Sequence, residues 1–479
     1  NLIITHVSNL IPARVSSYFD ICTQNTKIVI SSIVPRVLIR TLTILIFLHS
    51  LKMSSTDDIW EAAKTGDVDS LSALIEANAS IDVPDDDNKT PLHYAAQGGF
   101  TEAVQLLINA NPSLDLTDDR DWTALIFAAS NGFADTAQAL VDAKADIDYA
   151  DGDNWSSLTY AAENGYPEVT KVLVDAKATI DIKDTNGWTP CMHASCWGFY
   201  ETAKVLIDAQ ADVNVHDDVY RKVSLMYAVE NNHAGIAEVL LDAKASIEHR
   251  DANEMTSLIW AAFDKSARAT KILVDARANV DARDNMKMTP LHFAARNGDL
   301  ATANLLIEAK ASLDVADASS LATPLMLASE KGHIELVKVL INAKAQVDLP
   351  DAQNRTAIMH AAENDQTEVI SVLIAAKAHV DTRDSDHWTA LSWAVCNHNA
   401  EAAKVLIAAK ATVDVKDTSG WTPLQHTAFW GYHDSAMVLM DAQASTDEVN
   451  DEGKTAVDCA EANGRVKTAN LIRTVTARR

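Results

Sequence analysis

Downstream of Asp57 the apolar positions return in a short, constant cycle. Val169, Val172 and Leu173 stand at i, i+3 and i+4, the spacing that lines one face of a helix. Ahead of them Ala161-Ala162 closes a shorter apolar run, and small side chains there let neighbouring helices approach closely. After them comes an alternating stretch, Ile180-Asp181-Ile182-Lys183-Asp184, which ends in the turn signal Asn186-Gly187. Each cycle therefore predicts two short helices joined to the next pair by an extended turn. One such unit cannot bury its own apolar face, so the cycles must stack into a continuous core.

The cycle carries a motif. Thr90-Pro91-Leu92-His93-Tyr94-Ala95-Ala96 returns as Thr289-Pro290-Leu291-His292-Phe293-Ala294-Ala295, and weaker copies begin at Thr123, Ser156, Thr189, Val223, Thr256, Thr323, Thr356, Thr389, Thr422 and Thr455. Neighbouring copies are 33 residues apart, except for steps of 34 at Val223 and Thr323. A unit without the motif but with Ala62-Ala63 in phase opens at Asp57, which makes thirteen. Thr90 suits an N-cap, where its hydroxyl accepts an orphan N–H, and Pro91 suits the first helical position, where no N–H is needed.

Period, Thr-Pro-Leu-His, Ala-Ala and the glycines after the first helix (Gly99, Gly132, Gly165, Gly198, Gly298, Gly332 and Gly431) resemble the ankyrin repeat family across residues 57–479. The resemblance implies an α-rich solenoid of paired antiparallel helices with β-hairpin-like turns. It also implies a concave protein-binding face, and a structural hydrogen bond for His93 and His292. The family favours Gly after the second helix, where the backbone is left-handed. Here that position holds Asn78, Asn111, Lys144, Lys177, Gln210, Lys244, Arg277, Lys310, Lys344, Lys377, Lys410 and Gln443. Each replacement is expected to cost under about 1 kcal/mol.

A longer period overlies the short one. Asp184-Thr185-Asn186-Gly187-Trp188-Thr189-Pro190 with Trp197-Gly198-Phe199 recurs as Asp417-Thr418-Ser419-Gly420-Trp421-Thr422-Pro423 with Trp430-Gly431-Tyr432, seven units on. This predicts a tandem duplication, seven units over 57–288 and six over 289–479, within an array that spans 53–479. Residues 1–52 stand apart: they hold ten isoleucines and no Glu or Gly, and the first Met of the chain follows at Met53. They are read as non-native read-through of upstream sequence or a disordered leader. The alternative is a membrane tether that would make the protein a regulatory or anchoring subunit. Leu42–Leu48, the longest nearly pure apolar run there, is too short to cross a bilayer.

The chain carries 40 Lys+Arg against 67 Asp+Glu, a net charge of -27, which repels nucleic-acid backbones and favours a protein partner with a basic surface. Five cysteines without even spacing make no disulfide framework, and the expected compartment is the cytoplasm, with the nucleus as the alternative. No phosphate loop, nucleophile elbow or metal helix motif occurs, so no catalytic residue, metal or cofactor is assigned and the expectation is a monomeric, non-enzymatic scaffold. Two acidic ladders, one through Asp148 and Asp181 and one through Asp151 and Asp184, serve turn hydrogen bonding and sum to an acidic edge.

Candidate partner-binding residues are the tryptophans. Trp122, Trp155, Trp188, Trp388 and Trp421 immediately precede the motif, at the turn-to-helix corner, and Trp197 and Trp430 extend the set along the helix end. Packing between units and anchoring of a partner both fit them. Asn214, within Leu206-Ile207-Asp208-Ala209-Gln210-Ala211-Asp212-Val213-Asn214, looks like the ankyrin sites modified by a 2-oxoglutarate-dependent asparaginyl hydroxylase, and an ordinary turn Asn is the competing reading.

Overall fold

The structure, a computed structural model, describes residues 58–478. The reading of residues 1–52 as read-through or tether lies outside them. By its internal packing the chain divides into two compact units: one runs to Ala128 and includes Asp142–Ala145, the other comprises Ala129–Val141 and everything from Asp146 onward. In the first, helix Val68–Glu76 precedes the pair Pro91–Gln97 and Thr101–Asn109. In the second, the pairs run from Ser157–Glu163 with Pro167–Asp175 to Ala456–Ala462 with Val466–Thr476. Among the described residues the turns form no strand, only the isolated bridges Ala150–Ser156 and His216–Val223.

The motif builds the start of each first helix. The Thr189 hydroxyl accepts the Met192 N–H at 3.4 Å, and Thr422 exchanges two bonds with Gln425, whose Oε1 accepts the Thr422 N–H at 2.8 Å. In the intact copies a histidine does this work: His93 Nδ1 accepts the Thr90 N–H at 2.9 Å, so its Nε2 carries the proton and donates to the Leu116 carbonyl at 2.9 Å. His292 repeats the arrangement with Thr289 and the Ala322 carbonyl, at 3.1 and 3.2 Å.

Two layers follow from the two helix types. Pro190–Trp197 packs between Ser157–Glu163 and Ser224–Glu230, and the small side chains of Ala161, Ala162, Ala194 and Ala228 are buried where these helices meet. Behind them Pro167–Asp175 lies against Tyr200–Asp208, with Leu173 and Leu206 buried in the seam. Truncating one of these leucines to Ala costs roughly 2–5 kcal/mol, a large share of any domain's net stability.

Each loop is organised by one aspartate. Asp184 Oδ1 accepts the N–H groups of Asn186 and Trp188, both at 2.8 Å, which closes the turn. Its Oδ2 receives His193 Nε2 at 3.2 Å, from the helix that the turn feeds. The same two-handed use recurs: Asp151 takes the Trp155 N–H and the Tyr160 hydroxyl, Asp251 the Met255 N–H and the Trp260 indole, Asp351 the Arg355 N–H and His360, Asp384 the Trp388 N–H and the Trp393 indole, and Asp417 the Trp421 N–H and His426. A second acidic row bridges unit to unit. Asp181 Oδ1 accepts the Asp212 N–H at 3.0 Å, Asp281 the Ser312 N–H at 2.8 Å, and Asp381 the Thr412 N–H at 2.8 Å.

At the far end of the second helices, the family's glycine position is left-handed although no glycine stands there. Asn78 has φ 60°, Lys177 70° and Lys344 78°. The chain keeps the conformation and carries its strain, while the lysine side chains stay in solvent.

Three loops lack the helix donor: Phe127, Phe293 and Leu327 stand where it would come from for Asp118, Asp284 and Asp317. Asp118 and Asp317 take further donors from their own loops, Arg120 and Ser319 with Ser320, whereas Asp284 Oδ1 accepts the Met286 and Met288 N–H groups at 2.9 and 2.8 Å and Phe293 offers its other oxygen nothing. Burial, with the nearby Asp251 charge adding to it, pushes the Asp284 carboxyl above the ordinary carboxylate range despite those two N–H groups. Phe293→Tyr should place a hydroxyl on Oδ2, as Tyr160 does on Asp151, and stabilise the fold by about 1 kcal/mol at neutral pH. Urea unfolding of the two proteins checks it, and an unchanged or lower midpoint contradicts it.

Candidate partner-binding face

The loop aspartates decide where the corner tryptophans go. Each of Trp122, Trp155, Trp188, Trp388 and Trp421 donates its N–H to the loop carboxylate four residues back, at 2.8–3.0 Å. With the backbone fixed there, the indoles project along the first-helix face and meet the aromatic side chains that hold the same carboxylates. The rings are half-buried. Trp155 packs on Tyr160 and His193, with centroids 5.0 and 4.7 Å away, and Trp188 on His193 and Tyr227 at 5.1 and 4.2 Å. Trp388 repeats this with Trp393 and His426 at 5.1 and 5.0 Å, and Trp421 with His426 and Phe429 at 5.1 and 5.5 Å. Trp122 lies edge-on to Phe127 at 5.2 Å, with the Arg120 guanidinium 4.2 Å over its ring.

Trp197 and Trp430 differ from these five. At the ends of helices Pro190–Trp197 and Pro423–Trp430 they are 57% and 51% exposed. Their supports also differ. The Trp197 indole N–H donates to Glu163 Oε2 at 2.7 Å, and the same oxygen meets His193 Nδ1 at 2.7 Å. Burial alone would lower the His193 pKa, but hydrogen bonds and charge from Asp184 and Glu163 outweigh it and raise the group above the usual imidazole range. In the second cluster Cys396 stands where Glu163 stands in the first, and Trp430 packs edge-on to Phe429 at 5.0 Å.

The family model described as Ankyrin repeats (3 copies) matches residues 59–151, 144–217, 225–317 and 325–417. The chain belongs to the ankyrin repeat family. Among solved structures, the crystal structure of the human ASB11 ankyrin repeat domain is similar over 46% of this chain and 98% of its own, at 21% identity and a TM-score of 0.42. None of the curated proteins compared matches the chain. Ankyrin repeats are generally protein–protein interaction modules.

Within the ankyrin framework the side chains sort by depth. Trp155, Trp188 and Trp388 lie between the aromatic residue of their own first helix and that of the next, so each joins two repeats and leaves an edge in solvent, while Trp122 and Trp421 pack on rings of their own first helix. Their packing partners, Tyr160, His193, Tyr227, Trp393 and His426, were not singled out from sequence. The signal for them is a donor-bearing ring nine residues after a loop aspartate, with Tyr227 at ten because its loop is one residue longer. Asn214 occupies the bridging position of Asp181 and Asp281, and its Oδ1 accepts the Ser246 N–H at 2.6 Å. No helix among the described residues is long and apolar enough to cross a membrane.

Four histidines of this face and its caps, three buried and His426 half-buried, share a sign. His93, His292, His360 and His426 are all held below the ordinary imidazole range, in each case chiefly by burial. A group depressed by folding contributes stability that is complete above its unfolded pKa of about 6.5 and is lost as pH falls below that value. His193 opposes them: its contribution is complete at low pH and is lost as pH rises through its raised value. Asp264 opposes them too, since burial and the Glu230 charge push its carboxyl up to about 6 and its cost is relieved on protonation. Four against two, the array should melt at a lower temperature at pH 5.5 than at pH 7.5, before most carboxylates titrate. Circular dichroism melts check this, and equal midpoints contradict it.

Proposed function

We propose that this ankyrin array is a non-enzymatic scaffold that binds partner proteins through its concave face. The observation that carries this reading is the pair of exposed indoles, Trp197 and Trp430, each beside a row of half-buried corner tryptophans. Large amphipathic rings that remain in solvent beside a rigid support bury much area on binding at small entropic cost. The corner residues Trp122, Trp155, Trp188, Trp388 and Trp421 supply the floor on which a partner rests. The net charge of -27 steers a partner with a basic surface, so the charge acts mainly on association rate. The array acts as a monomer in the cytoplasm. Its tandem halves, seven units and six, present two related sites, and the exchange of Glu163 for Cys396 gives the two sites different chemistry.

Exposure separates anchors from packing. Trp197→Ala with Trp430→Ala should weaken binding of partners captured from the source cell at least tenfold while leaving the melting temperature unchanged. Trp188→Ala should instead lower the melting temperature, because its ring joins His193 to Tyr227. Titration and melting of the same variants test both halves. Unaltered affinity after loss of both exposed indoles would place the site elsewhere on the array.

A further inference from the structure

Four consecutive loop tips of the larger unit, in loops 217–222, 251–255, 284–288 and 317–322, differ from the rest. They are joined in order by backbone bonds: Ala252 N–H to the Tyr220 carbonyl at 2.8 Å, Asn285 to Asn253 at 3.0 Å, and Ala318 to Met286 at 2.7 Å. Side chains on these tips therefore lie along one line. Val219, Tyr220, Met286 and Leu321 are 54%, 57%, 46% and 47% exposed, large apolar groups in solvent where tips elsewhere carry Asp153, Asp386, Asp451 and Glu452. The first and last of the four loops are the two with an extra residue, the steps of 34, and they carry Tyr220 and Leu321.

The charge of this stretch is also inverted. Arg221 and Lys287 on the tips and Arg283 just before the third loop are exposed and make no ion pair among the described residues, whereas Asp218 pairs with Lys183 at 2.9 Å and Glu254 with Arg250 at 3.7 Å. The loop carboxylates Asp217, Asp251, Asp284 and Asp317 are buried on backbone N–H groups and are withdrawn from the surface. A basic, apolar strip thus crosses a strongly acidic protein.

We infer that these four tips form a second docking surface, separate from the tryptophan face, whose occupant is an extended acidic segment of a partner protein bearing apolar side chains. Apolar groups seat on Val219, Tyr220, Met286 and Leu321, and carboxylates meet Arg221, Arg283 and Lys287. Neighbouring units stack about 10 Å apart, so three steps span about 30 Å, the reach of about nine extended residues. Nucleic acid fits poorly, since the surrounding field repels a continuous phosphate chain while four apolar side chains gain nothing from it.

The test uses the full chain and fluorescein-labelled peptides of about twelve residues, matched to that reach. One alternates Asp or Glu with Leu or Phe, a second replaces the acids by Lys, and a third replaces the apolar residues by Ser; an oligothymidine is the fourth probe. Anisotropy should show saturable binding of the acidic apolar peptide alone, weakened by added salt. Tyr220→Ser with Leu321→Ser, and separately Arg283→Glu with Lys287→Glu, should each weaken it at least tenfold, whereas Trp197→Ala should not. All four positions are solvent-facing, and unchanged melting confirms folding. Equal affinity for all peptides, preference for the oligothymidine, or retention of binding in both tip variants overturns the inference. So does a concentration-dependent dimer in sedimentation that the tip variants abolish, since the occupant would then be a second copy.

Discussion

The buried or half-buried aspartate that closes all but the last of the loops is the constraint on which the rest of the ankyrin structure depends. Removing a carboxylate from water is costly unless its oxygens are satisfied, and here the satisfaction is divided between two structural levels. One oxygen closes the turn by accepting the N–H groups two and four residues on, as Asp184 does with Asn186 and Trp188. The other reaches the first helix, so turn and helix cannot rotate independently. The corner residue sits on the closing N–H and inherits its direction from that bond. The tryptophan row is thus a by-product of how the loops solve their own electrostatic problem.

That dependence also lets the two tryptophan clusters differ without loss of the scaffold. Glu163 lies at the end of a first helix and touches neither the turn nor the seam between second helices, so Cys396 can replace it at the corresponding position. What changes is local: the carboxylate that Trp197 bonds becomes, at the corresponding position, a half-buried thiol held above its ordinary range by burial, with the Asp417 charge adding to it. Binding chemistry varies where the fold makes no demand.

Much of this was legible in the chain. Thr-Pro at a helix start, the alanine pair and the 33-residue step act within a few residues of each other, and they fix caps, layers and stacking directly. The aspartate rows were visible as periodic residues, but their separate tasks were not, because a donor nine residues downstream and an N–H thirty-one residues downstream become neighbours only after folding. The half-burial of Trp155 and Trp188 was equally hidden, since it is set by His193 and Tyr227 in later units. The exposure of Tyr220 and Leu321 was hidden as well, because a lone apolar residue in a turn does not show from sequence which way it faces.

The bridges between successive loops give the larger unit an anisotropic elasticity. Along the loop edge, adjacent units are tied by peptide hydrogen bonds such as Ser385 to Gln353 and Thr418 to Asp386, and by carboxylate bridges such as Asp348 to His379, all short and directional. The second helices meet through apolar side chains such as Leu173 and Leu206, whose contacts are non-directional and individually weak. Bending therefore stretches the outer layer and leaves the loop edge at constant length, as a beam bends about its neutral line. A ligand laid along that edge feels a fixed ruler even while the rest of the molecule breathes.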